Sequence, residues 1–274
     1  MSKGLVVKSN AVIEASYRLS VMEQRVILAA ISQIRRDQVV SDDVMYELNV
    51  NTLRELSGTK SKAIYTDLKE AVNHLYERSI VIEKHPNGSE SSTKKLKTRW
   101  IQSAIYSDDE GMIKLRFSKD IIPYLNQLNS HFTSYALAEV IQLTSAHAYR
   151  LYELLIQYRQ MGKREIAVED LRRWLDLGDK YGALYDLKKR VIDPAVRQIN
   201  EKTPYEVKYS QKKSGRTVTH LAFSFQKKED SGGAQKTRYT RSDLNKNPSL
   251  ARPGETYEMA LARLNKQAKA MRTG

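Results

Sequence analysis

The stretch YGALYDLKKRVIDPAVRQINEK, Tyr181 to Lys202, decides how the rest of the chain is read. At about 100° per residue, Ala183, Leu184, Leu187, Val191 and Ala195 fall on one side of a helix. Asp186, Lys189 and Asp193 fall opposite, flanked by Lys188, Arg190 and Arg197. The apolar side needs a core and the basic side needs solvent or a polyanion. Pro194 lies inside the pattern, where it removes a backbone donor and crowds the preceding turn, so a kink is expected there with the helix resuming through Ile199.

Working outward, Glu165 to Val168 reads as a short strand and Val168 to Leu175 as a small helix. Beyond the long helix, Tyr205, Val207 and Tyr209 alternate, as do Leu221, Phe223 and Phe225, with Gln211 to Arg216 between them as the basic tip of a β-hairpin. Small helix, turn, long helix and hairpin make a winged helix-turn-helix. Upstream, Ser134 to Gln142 and Ser145 to Gln160 are expected to be helical, the second with Leu151, Leu155 and Tyr158 on one face and Gly162 placed to stop it.

The first half has the same order. Ser20 and Glu23 have the spacing of a capping box, and the helix they start is expected to reach about Arg36 with Ile27, Ile31 and Ile34 inward. Met45 to Val50 is a strand candidate and Thr52 to Leu56 a small helix ending at Gly58. Thr59 can cap a long helix over Lys60 to Glu77, whose buried stripe is Ile64, Leu68, Ala71, Val72 and Leu75. Ile80 to Glu83 and the returning Leu96 to Tyr106 suggest a β-wing flanked by Lys94, Lys95, Lys97 and Arg99. After the turn Ser107 to Gly111 come a strand, Met112 to Phe117, and a short helix, Ser118 to Leu128.

The two halves also match letter by letter. Val50-Asn-Thr-Leu-Arg54 answers Val168-Glu-Asp-Leu-Arg172 at a spacing of 118, and Asp67-Leu-Lys69 answers Asp186-Leu-Lys188 at 119, so one inserted residue reconciles them. The expected class is therefore α+β: two tandem winged-helix domains, residues 10–130 and 131–226, each with its own core. A basic tail, residues 227–274, follows. Its first part, Lys227 to Arg252, is almost free of apolar residues and expected to be disordered, whereas Tyr257, Leu261, Leu264, Ala268 and Met271 recur at helical spacing.

With 46 Lys and Arg against 32 Asp and Glu, the 274-residue chain has a formal net charge of +14, which favours polyanionic partners. Nothing in it approaches a transmembrane run, Met1 to Asn10 lacks the apolar centre of a signal peptide, and a cytoplasmic protein is expected. There are no cysteines, hence no disulfide framework and no thiol nucleophile. The five histidines show no metal-ligand spacing, and no phosphate-binding Gly-rich loop is present, so neither an enzyme centre, a metal nor a cofactor is indicated.

A roughly 12 Å major groove admits a helix, and an adjacent hairpin can reach the neighbouring phosphates. Double-stranded DNA is thus the expected partner. The candidate contacts are Lys60, Lys62, Tyr65, Thr66 and Lys69 on the first long helix, Lys94, Lys95, Lys97 and Arg99 on its wing, Lys188, Lys189, Arg190 and Arg197 on the second, and Lys212, Lys213 and Arg216 on the last hairpin. The bland alternative for any one of them is a solvated surface cation.

Over about Val12 to Gln226 the sequence resembles the theta-type, iteron-binding plasmid replication initiators, tandem winged-helix Rep proteins. The resemblance rests on Ile13-Glu-Ala-Ser-Tyr-Arg-Leu-Ser20 with Glu23-Gln24, on Ala148-Tyr-Arg-Leu-Tyr-Glu-Leu-Leu-Ile-Gln-Tyr-Arg159, and on Tyr185-Asp-Leu-Lys-Lys-Arg-Val-Ile-Asp-Pro-Ala195 running to Ile199-Asn200 and Thr203. Gly215-Arg216 followed by Phe223-Ser-Phe225 resembles the family's final hairpin. It implies a protein on plasmid DNA whose second domain is the main reader of directly repeated origin sequences. It further implies monomers at origin repeats, dimers formed through the first domain that repress the protein's own promoter, and recruitment of host initiator and helicase proteins. A tandem winged-helix repressor without initiator activity is the competing expectation. A rolling-circle nicking enzyme is opposed by the absent histidine pair.

Overall fold

The structure, a computed structural model, describes residues 4–35, 37–59, 63–88, 91–228, 240–241 and 256–270. The chain divides into two compact units, Met1–Lys227 and Lys228–Gly274. In the second unit, α9 (Tyr257–Ala270) occupies the place where the helical spacing was read. Of the stretch expected to be disordered before it, Lys227 is the last residue of a strand, and residues 229–239 and 242–252, like Met271, lie outside the described residues.

In the first unit the elements run β1 (Leu5–Ser9), α1 (Asn10–Ile13), α2 (Val21–Ile31), β2 (Tyr46–Asn49), α3 (Val50–Ser57), α4 (Ile64–Glu77), β3 (Ser79–Lys84), β4 (Ser91–Arg99), β5 (Ile101–Ser107) and β6 (Met112–Phe117). Then follow β7 (Phe132–Ala136), α5 (Ala146–Ile156), β8 (Lys163–Ala167), α6 (Val168–Trp174), α7 (Leu184–Leu187), α8 (Asp193–Lys202), β9 (Tyr205–Ser214) and β10 (Thr217–Lys227).

Local chemistry sets the helix ends. The Ser20–Glu23 capping box forms, each side chain meeting the other's backbone N–H, which stabilises the start of α2 by about 1 kcal/mol. Asn49 caps α3, and Gly58, at φ 64°, closes it in the left-handed region. α2 stops at Ile31, short of the expected Arg36, because Ser32 and Gln33 both turn their side chains back to the Ala29 carbonyl. Ile34 is nevertheless buried. α4 is described from Ile64, with no side-chain cap at Ala63; residues 60–62, where the cap by Thr59 was expected, lie outside the described residues.

The duplication is a repeat of topology. The sheet of the first half has the order β2-β6-β5 and that of the second β8-β10-β9, the last strand central in each. Leu48 lies opposite Ile113 and Ile166 opposite Leu221, so the inward triplets Ile113, Leu115, Phe117 and Leu221, Phe223, Phe225 correspond. Both halves are thus winged helices, and the chain is α+β in two tandem copies. Burying each of these side chains stabilises by about 1.5–3 kcal/mol.

Three expectations are corrected. The returning strand Leu96 to Tyr106 is two strands in different sheets, because fully buried Trp100 turns the chain between β4 and β5. β3 and β4 form a separate two-stranded ribbon, and the wing of the first half is the hairpin β5–β6. Ser134 to Gln142 is not a helix: β7 pairs antiparallel with β1, Val6 opposite Tyr135, and a single 3-10 turn, Leu137–Glu139, follows. Ser118 to Leu128 holds only a 3-10 turn, Ile122–Tyr124, with Pro123 inside it.

The β1–β7 pairing crosses the boundary expected between residues 130 and 131, and one continuous core joins the halves. Charged groups are buried along this junction. Arg150 donates to the Ala15 and Trp174 carbonyls, both at 2.8 Å, and stacks on Tyr17. Lys8 pairs with Glu153, which also accepts from the Tyr135 hydroxyl. Arg164 and Lys84 both meet Glu14.

Candidate nucleic-acid interface

The second half positions its long helix through the turn before it. The Arg172 guanidinium gathers the carbonyls of Lys180, Tyr181 and Gly182 at 2.7–3.2 Å, holding a segment in which Asp176, Gly178 and Tyr181 have positive φ. The helix then runs from Leu184 to Lys202 with one π-turn over Lys188–Ile192. The N–H of Asp193 reaches back five residues to the Lys188 carbonyl. Pro194 can bring no N–H to the ladder, a wider turn stands just ahead of it, and the helix does not end there but resumes to Lys202, as expected.

The wing is tied to that helix by side chains. The Asn200 amide donates to the Val207 carbonyl at 2.9 Å and accepts from the Val207 N–H at 2.6 Å. The Tyr209 hydroxyl donates to Asp193, and burial, then Asp193, raise its pKa. A tyrosine does the same in the first half, where Tyr106 donates to Asn73 of α4 at 2.6 Å.

Outward, Lys189, Arg190 and Arg197 are exposed and Lys188 half-buried. Arg190 leans on Asp186 one turn back, at 3.6 Å. The Lys189 ammonium lies 5.5 Å from the ring of Tyr185, a side chain 67 % exposed at the N-terminal end of the helix. Tyr185 escaped the reading of charges, although its place on the wheel beside Lys189 was available. On the hairpin, β9 and β10 extend almost to the turn at Gly215 and Arg216, so Lys212 and Lys213 are strand residues and only Arg216 sits at the tip. Lys212 is held by Glu165 at 2.8 Å, which lowers the Glu165 pKa; Lys213 and Arg216 are exposed.

The first half differs. Lys60 and Lys62 lie outside the described residues. Thr66 is exposed on α4, but Tyr65 and Lys69 turn to the wing, where the hydroxyl donates to Asp108 at 2.5 Å and the ammonium at 3.0 and 3.1 Å. These bonds lower the Asp108 pKa, Tyr65 first, and raise that of Tyr65 to about 12. On the separate ribbon Lys97 is exposed, Lys95 pairs with Glu83 at 2.7 Å, and Arg99 is anchored to Glu77 and the Tyr76 carbonyl at the end of α4. Lys94 lies in β4, but its side chain is outside what is described. Among the described residues, Lys188, Lys189, Arg190 and Arg197 of the second half share one helix, whereas Lys69 of α4 and Lys95 and Arg99 of β4 in the first half are each paired with a carboxylate.

Residues 5–156 match the family model described as Initiator Replication protein, WH1, and residues 167–225 the one described as Initiator Rep protein, WH2. The chain belongs to the initiator replication protein family. The two models divide this initiator after α5, leaving β7 and α5 with the first half. An uncharacterized 27.6 kDa protein of Escherichia coli is 30 % identical over 227 residues, spanning 79 % of this initiator and 93 % of that protein. The PI protein of Escherichia coli is 24 % identical over 244 residues, 78 % and 79 % of the two chains. A crystal structure of Pi initiator protein in complex with iteron DNA has the same fold, with a TM-score of 0.70 at 24 % identity, covering 84 % of this initiator and 100 % of that chain. Among the described residues no group of three or more His, Asp and Glu could hold a metal ion, and no helix is long and apolar enough to cross a membrane.

Proposed function

We propose that this initiator binds directly repeated sequences at a plasmid origin, the second winged helix acting as the main reader. One observation carries the proposal: Tyr185, Lys188, Lys189, Arg190 and Arg197 lie on one helix beside a hairpin that presents Lys213 and Arg216. Helix into the major groove and hairpin onto the phosphates is the docking this arrangement permits. The net charge of +14 supports it, as does the likeness in fold to a Pi initiator whose crystal form holds iteron DNA. In the first half Tyr65, Thr66 and Lys69, with Lys97, would follow an adjoining stretch of the same duplex.

Family membership supports the remainder of the proposal: dimerisation through the first winged helix, repression of the protein's own promoter, recruitment of host initiator and helicase proteins, and a cytoplasmic site of action on plasmid DNA. Footprinting on the protein's own replicon tests the core of it. Protection recurring at regularly spaced direct repeats, with strand opening nearby, is expected. Protection confined to one promoter operator, with no opening, would instead identify a repressor.

A further inference from the structure

The wings of the two halves are opposite in charge. The second turns on Gly215 and Arg216 with Lys213 beside them, whereas the β5–β6 turn is Asp108-Asp109-Glu110-Gly111. Within it Asp108 receives the Tyr65 hydroxyl at 2.5 Å on one oxygen and Lys69 at 3.0 and 3.1 Å on both. Lys69 is also 5.4 Å from the Tyr106 ring. The site is open to solvent, with 62 % of the Asp108 side chain exposed. A hydroxyl and an ammonium converging on a two-oxygen anion is how side chains hold a DNA phosphate.

We propose that Asp108 occupies the phosphate site of the first reading helix in the DNA-free protein and is thereby a specificity-determining residue. α4 must release an internal anion before it can grip an external one. The displaced carboxylate then stands beside the DNA backbone, where like charge opposes binding. On random sequence, held through its phosphates alone, the carboxylate stays against the backbone. In our proposal cognate bases seat α4 in a register that carries the wing clear of it, so the penalty falls on the wrong sites. The inference rests on the reading of α4 as a DNA-facing helix.

The experiment uses the full chain as wild type, Asp108→Asn, Lys69→Ala and the double variant, on a cognate and a scrambled duplex across a salt series. Asp108→Asn is expected to bind the scrambled duplex several-fold tighter and the cognate one by less, so that the ratio between them falls. Its slope of log K against log salt should steepen by about one unit as Lys69 becomes free for a phosphate. Lys69→Ala should itself weaken binding to the cognate duplex, where Lys69 grips a phosphate, and, measured against Lys69→Ala alone, the double variant should show no gain. No gain in Asp108→Asn, or a gain that persists without Lys69, overturns the inference. A wild-type chain that binds neither duplex would instead remove the DNA-facing reading on which it rests.

Discussion

Arg164 of β8 reaches Glu14, beside α1, at 2.6 Å across the junction of the two halves, with both side chains less than a tenth exposed. Lys84 meets the other oxygen of Glu14 at 2.5 Å, and the guanidinium stacks 4.5 Å from Tyr158 and 5.0 Å from Trp174 while donating to the Leu154 carbonyl. Arg164→Ala removes one partner of a buried pair but leaves Lys84, so a loss of about 3 kcal/mol, the low end for such a deletion, is expected. Denaturant unfolding of residues 1–227 would measure it. A loss under about 1 kcal/mol would mean that water readily takes the place of Arg164.

The hairpin cations should not contribute alike. Lys213→Ala and Arg216→Ala are each expected to lower the salt slope by about one unit on every sequence. Lys212→Ala should lower it by less, because Glu165 already holds that ammonium. Equal effects from all three would show that Glu165 releases Lys212 on binding.

An exposed aromatic ring at the start of a reading helix suits apolar contact with a thymine methyl group. Tyr185→Ala should cost about 1 kcal/mol on the cognate repeat and little on a scrambled one. Replacing thymines one at a time by uracil should reveal a single position that weakens wild type and is indifferent in the variant. If no position behaves so, the ring serves only to support Lys189.

His147 stands in the first turn of α5, where burial and then the charge of Arg18 lower its pKa. The folded state therefore prefers the neutral ring, and below the ordinary value of about 6.5 the unfolded chain takes up the proton first. Stability should fall as the pH drops through that value and level off below the folded pKa. The His147→Gln variant should show a smaller difference in denaturation midpoint between pH 7.5 and 5.5 than wild type.

Much of the fold was legible because its signals are local. The capping box at Ser20, the left-handed stop at Gly58, the stripe of α4 and the alternation of β9 and β10 each lie within a few residues. β7 was misread as helix because its only reason to be extended is β1, more than 120 residues away. The β1–β7 pairing also spans the boundary expected between residues 130 and 131, which no local signal could show. Lys95, Arg99 and Lys212 were sound as exposed cations, but nothing in the sequence showed that Glu83, Glu77 and Glu165 already hold them. Asp108 read as a plain turn residue, since its two partners sit some forty positions earlier.

The π-turn ahead of Pro194 has one more consequence. Leu68 and Val72 of α4 answer Leu187 and Val191 at the same spacing, but past the wide turn the second helix has gained a residue, so that buried Leu75 is answered by buried Ala195. One added residue rotates everything downstream by about 100°. A chimaera in which α4 replaced the second long helix letter for letter would therefore seat its first turns correctly and turn its last ones out of the core. The two copies have diverged in phase, and neither can serve as a spare part for the other.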